Sequence, residues 1–316
     1  DDCCCPLMAT TGQRVAGARP KTHPTAIVPV AVGSAVAYFN GFAVDTFPAS
    51  IRIELALIVA LALQIGVNYA NDYSDGIRGT DEVRVGPVRL VGQGLAKASD
   101  VKKAALLSFL IACVAGLALV LLTQAWWMLI VGVAAVASAW FYTGGPRPYG
   151  YAGLGEVFVF VFFGLVAVVG TTFVLTMQIQ LVAVILAIPV GLLACALLVT
   201  NNLRDIPGDT VVGKHTLAVR MGDARTREVY GFCLWVPFAI AAVVGLGGVG
   251  FIDVFPPGAL VAVVAAPMAL VPWRMVRSGA AGPALIPVLV WTARIQLAFG
   301  LLLTIGIVGS KLLNLT

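Results

Sequence analysis

The sequence predicts an all-α, polytopic membrane protein: nine transmembrane helices bundled around a central cavity with a cytoplasmic cap, the N-terminus in the cytoplasm. Three observations predict it. The first is composition. Of 316 residues, 60% are hydrophobic and only 11% charged, with a mean hydropathy of +0.98, against about 25% charged in a soluble domain. The second is a set of nine apolar stretches, at roughly 26–44, 51–70, 104–122, 125–143, 154–175, 180–200, 229–248, 257–276 and 294–313. Each is near the ~20 residues that span a hydrocarbon core. A backbone in lipid must satisfy its own polar groups, so each is expected as a helix. The third is charge alternation: 18 of the 20 Lys and Arg fall in alternate loops, which the positive-inside rule puts in the cytoplasm.

Taken in order, the first segment follows Arg14, Arg19 and Lys21 and carries no small-residue cleavage site. It is therefore expected as a retained helix, not a signal peptide. The second segment runs into a loop with Arg78, Arg84, Arg89, Lys97, Lys102 and Lys103. The third and fourth are joined by a short turn, Thr123 to Ala125, and are followed by a cytoplasmic loop with Arg147. The fifth and sixth are joined at Thr176 to Ile179. After the sixth come Arg204, Lys214, Arg220, Arg225 and Arg227. Arg274, Arg277 and Arg294 separate the eighth from the ninth. Arg52 and Lys311 alone fall on the outer side. An N-terminus inside and a C-terminus outside require an odd number of crossings. Pro189, Pro237 and Pro267 are expected as tolerated kinks. Residues 1–17 are expected as a tail, partly a cloning remnant with its Cys3–Cys5 run. Residues 18–316 are expected as one transmembrane domain with halves 18–150 and 151–316. Cys113, Cys195 and Cys233 sit singly in apolar segments and form no ligand or disulfide framework. The +5 net charge sets topology and does not imply nucleic acid. The oligomeric state is not encoded in any of these features.

Chemistry is expected where two apolar segments run into matched polar clusters: Asn68-x3-Asp72-x2-Asp75 and Asn201-x3-Asp205-x3-Asp209. Asn68 and Asn201, and Asp72 and Asp205, are each 133 positions apart. Carboxylates at membrane depth are costly and usually functional. Residues three and four apart share a helix face, so each cluster is expected to present one set of oxygen donors. With no His or Cys among them, zinc, iron and copper fit poorly, whereas Mg²⁺ takes such carboxylates and fills its remaining positions with water and phosphate oxygens. Two clusters facing each other could clamp a diphosphate through two metals. Arg78, Arg84, Arg89, Arg147, Arg204 and Lys214 supply cations for it. The loop from Tyr142 to Glu156, rich in Gly, Pro and Tyr, is expected to cap the pocket. His23 and His215 lie near the cytoplasmic face, and neither is expected as a catalytic base.

At these residues the chain resembles the UbiA superfamily of intramembrane aromatic prenyltransferases. The likeness covers nearly everything from Arg19 onward. It is closest to the 1,4-dihydroxy-2-naphthoate polyprenyltransferases of menaquinone synthesis, through Ala18–Thr22, Asn71–Asp81, Gly86–Leu90, Asn201–Asp209 and Gly213–Arg220. Two departures stand out. The third acid of the wider family's first motif is replaced by Gly79, with Asp81 next. An Asn-Lys pair before Pro87 is replaced by Val85-Gly86, leaving Arg84 to substitute for the lost charge. The resemblance implies nine helices in the bacterial cytoplasmic membrane with the site facing the cytoplasm. It implies Mg²⁺-dependent transfer of a polyprenyl chain from its diphosphate to dihydroxynaphthoate with loss of CO2, giving demethylmenaquinone and diphosphate. Residue by residue, Asp72 and Asp75 would hold one Mg²⁺ and Asp205 and Asp209 a second, completed by Asn68 and Asn201. Arg78, Arg89, Arg147, Lys214 and Tyr142 would contact the diphosphate. Asn71, Asn202, Arg204, Asp81 and Arg84 are further candidates without an assigned role. The alternatives are another acceptor such as hydroxybenzoate or homogentisate, a CDP-alcohol phosphotransferase, or a cation-coupled transporter. The first shares this chemistry. The second needs further aspartates that are absent from the segment, and the third needs carboxylates at mid-membrane rather than beside arginine-rich loops.

Overall fold

The computed structural model describes residues 9–79, 88–249 and 254–315. Every regular element among them is helical. A short first helix, α1 (Thr11–Gly17), starts with a capping box in which Thr10 and Gln13 exchange side-chain and backbone bonds. The longer helices are α2 (Pro24–Phe39), α3 (Phe47–Ile77), α4 (Ala98–Thr123), α5 (Met128–Phe141), α6 (Gly155–Thr176), α7 (Leu181–Val211), α8 (Leu217–Gly247), α9 (Pro257–Arg277) and α10 (Gly282–Leu312). Among the described residues, seven of these, α3, α4 and α6 to α10, are long and apolar enough to cross a membrane. The first and fourth expected segments are shorter than anticipated, with 16 residues in α2 and 14 in α5. Asn40 and Gly41 (φ +83°) end the former. The turn at Ala125–Trp127 and the Gly-rich loop confine the latter.

Four helices, α3, α7, α8 and α10, have 31 residues each, about 46 Å at 1.5 Å per residue. That exceeds a ~30 Å hydrocarbon core by roughly three turns. Both polar clusters fall in this excess, at the C-terminal ends of α3 and α7. α3 and α7 therefore carry the acids to the mouth of the bundle, not to its middle. At the centre, α7 is the most enclosed span, with Leu186, Val190, Leu193 and Ala196 fully buried. α2, α6, α8, α9 and α10 pack around it in one continuous core.

Two local features shape the interior. A π-helical stretch, Phe160–Val166, interrupts α6. A π-bulge shifts the register of the side chains after it, and Phe158, Phe162 and Phe163 face the interior cavity. Opposite them, Gly164 meets Gly191 so closely that a Cβ at Gly164 would lie 2.7 Å from the Gly191 Cα. Small residues of this kind let membrane helices approach. By contrast α5 has no buried residue, and α4 exposes Leu107, Leu110 and Val114 outward, as a lipid-facing wall would.

Candidate active site

Asp75 is the focus of the mouth. Its carboxylate is 3% exposed and draws groups from three parts of the chain. The Tyr151 hydroxyl donates to Oδ1 at 2.5 Å, Lys214 Nζ lies 3.2 Å from the same oxygen, and Arg89 Nη2 lies 3.7 Å from Oδ2. Lys214 also sits 4.6 Å from the centroid of the Tyr151 ring, a cation–π contact. Gly213 brings the lysine there. Its φ of +71° turns the chain back after α7, and the Lys214 N–H donates to the Asp209 carbonyl at 2.8 Å. This left-handed turn is the geometry glycine adopts without strain.

Asp72 does something else. Its carboxylate accepts the backbone N–H of Leu90 (2.8 Å) and of Val91 (3.1 Å). It folds the segment after α3 back onto the helix, and Arg89 thereby enters the cavity. The residues of α3 that line the cavity near its mouth are Gln64, Asn68, Asn71 and Asp75, without Asp72. Of the expected set, Asn68 and Asp75 line the cavity and Asp72 does not. At 100° per residue, Asp72 lies about 60° from Asp75, far enough for the returning loop to claim it. The lining pair is Asn71-x3-Asp75, which has the same spacing as Asn201-x3-Asp205, 130 positions later. Asn71 Oδ1 accepts the Thr143 hydroxyl at 2.8 Å. Asn68 commits its amide nitrogen to the Ala18 carbonyl (3.0 Å) and to Thr22 Oγ1 (3.2 Å), so a metal could meet only its Oδ1. With Gln64 bonded to Thr22 and Thr25, it laces the N-terminal segment to α3 and sets Arg19 in the cavity wall.

On α7, Asn201, Asn202, Arg204 and Asp209 line the cavity. Arg204 chelates Asp205 in a fork, Nε to Oδ1 at 2.7 Å and Nη2 to Oδ2 at 2.8 Å. Its buried Nη1 has no hydrogen-bond partner among the described residues. Asp205 lies behind that fork and is not part of the wall. Asn202 donates to the buried Glu156 at 2.8 Å. Among the described residues, no three carboxylate, His or Cys side chains come together as a ready metal cluster.

The loop from Tyr142 to Leu154 joins the two helix ends. The His215 N–H donates to the Tyr151 carbonyl at 3.0 Å, and Arg78 donates to the carbonyls of Thr143 and Gly145. Arg78 is therefore a strut for this loop, while Arg147 is exposed on it. Neither lines the cavity. Tyr142 does line it, beside Tyr149 in an edge contact at 5.5 Å. Burial pushes the Tyr149 phenol above its usual pKa range, so it remains a donor, to the Ser138 carbonyl at 2.8 Å. Asp81 and Arg84 lie outside the described residues. Sequence reasoning overlooked Tyr151, Arg19 and Glu156. Arg19 falls within Ala18–Thr22, and Tyr151 and Glu156 within the Tyr142–Glu156 loop, stretches that carried other expectations.

Behind this charged mouth the cavity continues as an apolar chamber of about 1010 Å³ in all, lined by Val30, Leu63, Leu117, Phe162, Phe173 and Val174 among others. One end thus offers cations and carboxylates, and the other takes hydrocarbon. Residues 26–285 match the UbiA prenyltransferase family.

The chain belongs to the UbiA prenyltransferase family.

Among its relatives is the 1,4-dihydroxy-2-naphthoate octaprenyltransferase of Mycobacterium tuberculosis, 49% identical, covering 93% of this chain and 96% of that one. The enzyme of the same name from Escherichia coli is 40% identical over 68% and 70%. Among solved UbiA structures, a homolog from Archaeoglobus fulgidus bound to GPP and Mg²⁺ aligns with TM-score 0.59 at 14% identity, covering 92% of this chain and 99% of that one. An apo homolog from Aeropyrum pernix aligns with TM-score 0.65 over 88% and 96%. At that identity these two establish the UbiA fold.

Proposed function

We propose that this UbiA protein transfers a polyprenyl chain from its diphosphate to 1,4-dihydroxy-2-naphthoate. The observation that carries the reading is the two-part cavity: a mouth with Asp75, Asp209, Arg89, Arg204 and Lys214, opening into an apolar chamber. An amphiphile with an anionic head and a long hydrocarbon tail fits that division. The naming of the 40–49% identical relatives supports the acceptor.

The donors at the mouth fit a hard divalent cation, because they are oxygens only. Asp75 and Asn71 from α3, with Asp209 and Asn201 from α7, are the residues that would hold it, and Asp205 stands next to them. The Mg²⁺ bound by the Archaeoglobus homolog supports this assignment. When bound, the metal supplies positive charge for the diphosphate oxygens, and two ions suit the two helix ends. Lys214, Arg89 and the open nitrogen of Arg204 bind the same head group. They also stabilise the charge that grows on it as the allylic C–O bond breaks and its electron pair leaves with diphosphate. The chamber holds the tail and keeps water from the allylic carbon. The electron-rich ring carbon forms the new bond. Loss of the carboxyl as CO2 returns its bonding pair to the ring and leaves the quinol form of demethylmenaquinone.

The nine-crossing topology belongs to this proposal. The shorter α2 and α5 cross with the seven longer helices, and the basic loops and the Tyr142–Leu154 cap face the cytoplasm. The test is an acceptor panel: purified protein, one polyprenyl diphosphate, and dihydroxynaphthoate, hydroxybenzoate or homogentisate, with diphosphate release followed with and without Mg²⁺. Release that is Mg²⁺-dependent and fastest with dihydroxynaphthoate is expected. Preference for another acceptor would overturn the substrate, and release without any divalent ion would overturn the metal.

A further inference from the structure

Glu156 and Asn202 form a buried pair that the reaction above leaves without a role. Glu156 stands in the first turn of α6 and Asn202 on α7, each 9% exposed. Asn202 donates from Nδ2 to Glu156 Oε1 at 2.8 Å. Glu156 Oε2 has no hydrogen-bond partner among the described residues. A carboxylate inside a membrane bundle is costly and marks function by default. Two contacts seat this one. The Cys195 thiol donates to the Glu156 backbone carbonyl at 3.2 Å. Gly155 before it lets α6 close on α7, since a Cβ there would lie 3.3 Å from Leu198 Cδ2 and 3.2 Å from the Tyr142 ring.

Asn202 is the member of the pair that lines the cavity. With its nitrogen held by Glu156, its Oδ1 is the atom left to the cavity. Two other wall amides are held the same way. Asn201 commits Nδ2 to the Leu197 carbonyl at 3.2 Å, and Asn68 commits its own to Ala18 and Thr22. These walls therefore turn amide oxygens inward. Asn202 lies seven residues before Asp209, about 10 Å deeper along α7 and within about 20° of the same face. Deeper still the α7 wall is apolar, with Leu198, Leu197, Ala194 and Val184. Asn202 thus stands where the charged mouth gives way to the hydrocarbon chamber. A prenyl diphosphate with its head in one and its tail in the other places its allylic carbon at that boundary. The attacking ring must lie beside it.

We propose that Glu156 is a positioning residue for the aromatic acceptor: it fixes the Asn202 amide with Oδ1 toward the cavity, and that oxygen accepts a ring hydroxyl of the acceptor. The inference rests on the dihydroxynaphthoate reading above. The chemistry favours a neutral oxygen at this place. The acceptor carries a carboxylate, which a protein carboxylate facing it would repel. Its hydroxyls donate to an amide oxygen without that penalty. As the ring carbon bonds to the allylic carbon, positive charge spreads to the hydroxyl beside it, and the same hydrogen bond strengthens. Glu156, behind the wall, keeps the amide from turning its NH2 toward that hydroxyl.

The experiment compares Glu156→Leu, Glu156→Gln and Asn202→Ala with the unaltered protein. Binding is measured by calorimetry in Mg²⁺ with an unreactive prenyl thiolodiphosphate. The ligands are dihydroxynaphthoate and its two analogues that each lack one ring hydroxyl. In the unaltered protein one analogue should bind about tenfold more weakly than dihydroxynaphthoate, the scale of one lost hydrogen bond. In Asn202→Ala and Glu156→Leu that ratio should fall to near one. In Glu156→Gln, whose Oε1 still accepts the Asn202 N–H, it should persist. Half-saturating Mg²⁺ and prenyl diphosphate affinity should stay within about twofold in all three. If Glu156→Leu does not fold, the closer-shaped Glu156→Met replaces it. A ratio unchanged in Asn202→Ala, or lost there and kept in the Glu156 variant, would overturn the proposal. So would a tenfold greater Mg²⁺ requirement in Asn202→Ala, which would make that residue part of the metal's surroundings. If the unaltered protein transfers nothing to dihydroxynaphthoate, the acceptor reading fails by itself. The ratio is then read for the acceptor it does use against that acceptor without its hydroxyl. Its loss in both variants still supports the positioning role, and an unchanged ratio refutes it.

Discussion

Asp72→Asn separates a loop anchor from a metal ligand. Asp72 accepts two backbone N–H groups, from Leu90 and Val91, and is 1% exposed. Each bond to a charged acceptor contributes about 1.5–3 kcal/mol. Asparagine keeps one carbonyl for one amide and turns its own NH2 toward the other. The change therefore removes one charged bond and leaves a buried donor unsatisfied, at a cost of about 1–3 kcal/mol for that group alone. A total near 3 kcal/mol is expected. The loop from Leu90 would loosen, and Arg89, next in the chain, would lose its position 3.7 Å from Asp75. In detergent the variant should melt at a lower temperature and show a raised KM for prenyl diphosphate. Its half-saturating Mg²⁺ should stay within about threefold, less than the roughly tenfold that losing even an outer-shell partner of a metal costs. An unchanged melting temperature with a tenfold greater Mg²⁺ requirement would show that Asp72 is a ligand and that the reading of its two bonds is wrong.

The other predictions concern the same mouth. Asp75→Asn should reduce turnover about a hundredfold or more, the scale of losing a principal electrostatic group, and should raise the Mg²⁺ requirement; a Mg²⁺ titration that overlays the unaltered protein would contradict its role. Tyr151→Phe removes the hydroxyl bonded to the Asp75 carboxylate and should cost about 1.5–3 kcal/mol in kcat/KM, with membrane insertion intact, measured by steady-state kinetics. Arg147→Ala, exposed and away from the cavity wall, should leave the diphosphate KM within about twofold, as surface changes do. Lys214→Gln should raise that KM well beyond this, and equal effects of the two substitutions would remove the distinction between wall and loop surface.

Much of the fold was legible because its signals are local. Twenty-residue apolar runs do not depend on which helix neighbours which, and seven of the nine expected segments form helices long and apolar enough to cross a membrane. The exceptions are α2 and α5, whose ends are set by Gly41 and by the turn at Ala125–Trp127. The placement of the acids was legible for the same reason: they cluster at the ends of α3 and α7, beyond the length lipid can cover. Its detailed assignment was not. Helix spacing allows both Asp72 and Asp75 on one face, and the choice is made by amides 18 and 19 residues downstream of Asp72. Likewise no spacing rule tells an arginine that braces carbonyls, such as Arg78, from one that faces a cavity, such as Arg204. Tyr151 reaches Asp75 across 76 positions, a contact that only the folded loop creates.

The most direct test of the proposed chemistry is the stoichiometry of one reaction. Purified protein is given carboxyl-labelled dihydroxynaphthoate, a polyprenyl diphosphate and Mg²⁺, and labelled CO2, diphosphate and prenylated quinol are counted together. Equal amounts of all three, abolished in Asp75→Asn, are the expected result. A prenylated product that keeps its carboxyl group, or diphosphate released without any prenylated naphthalene, would contradict it.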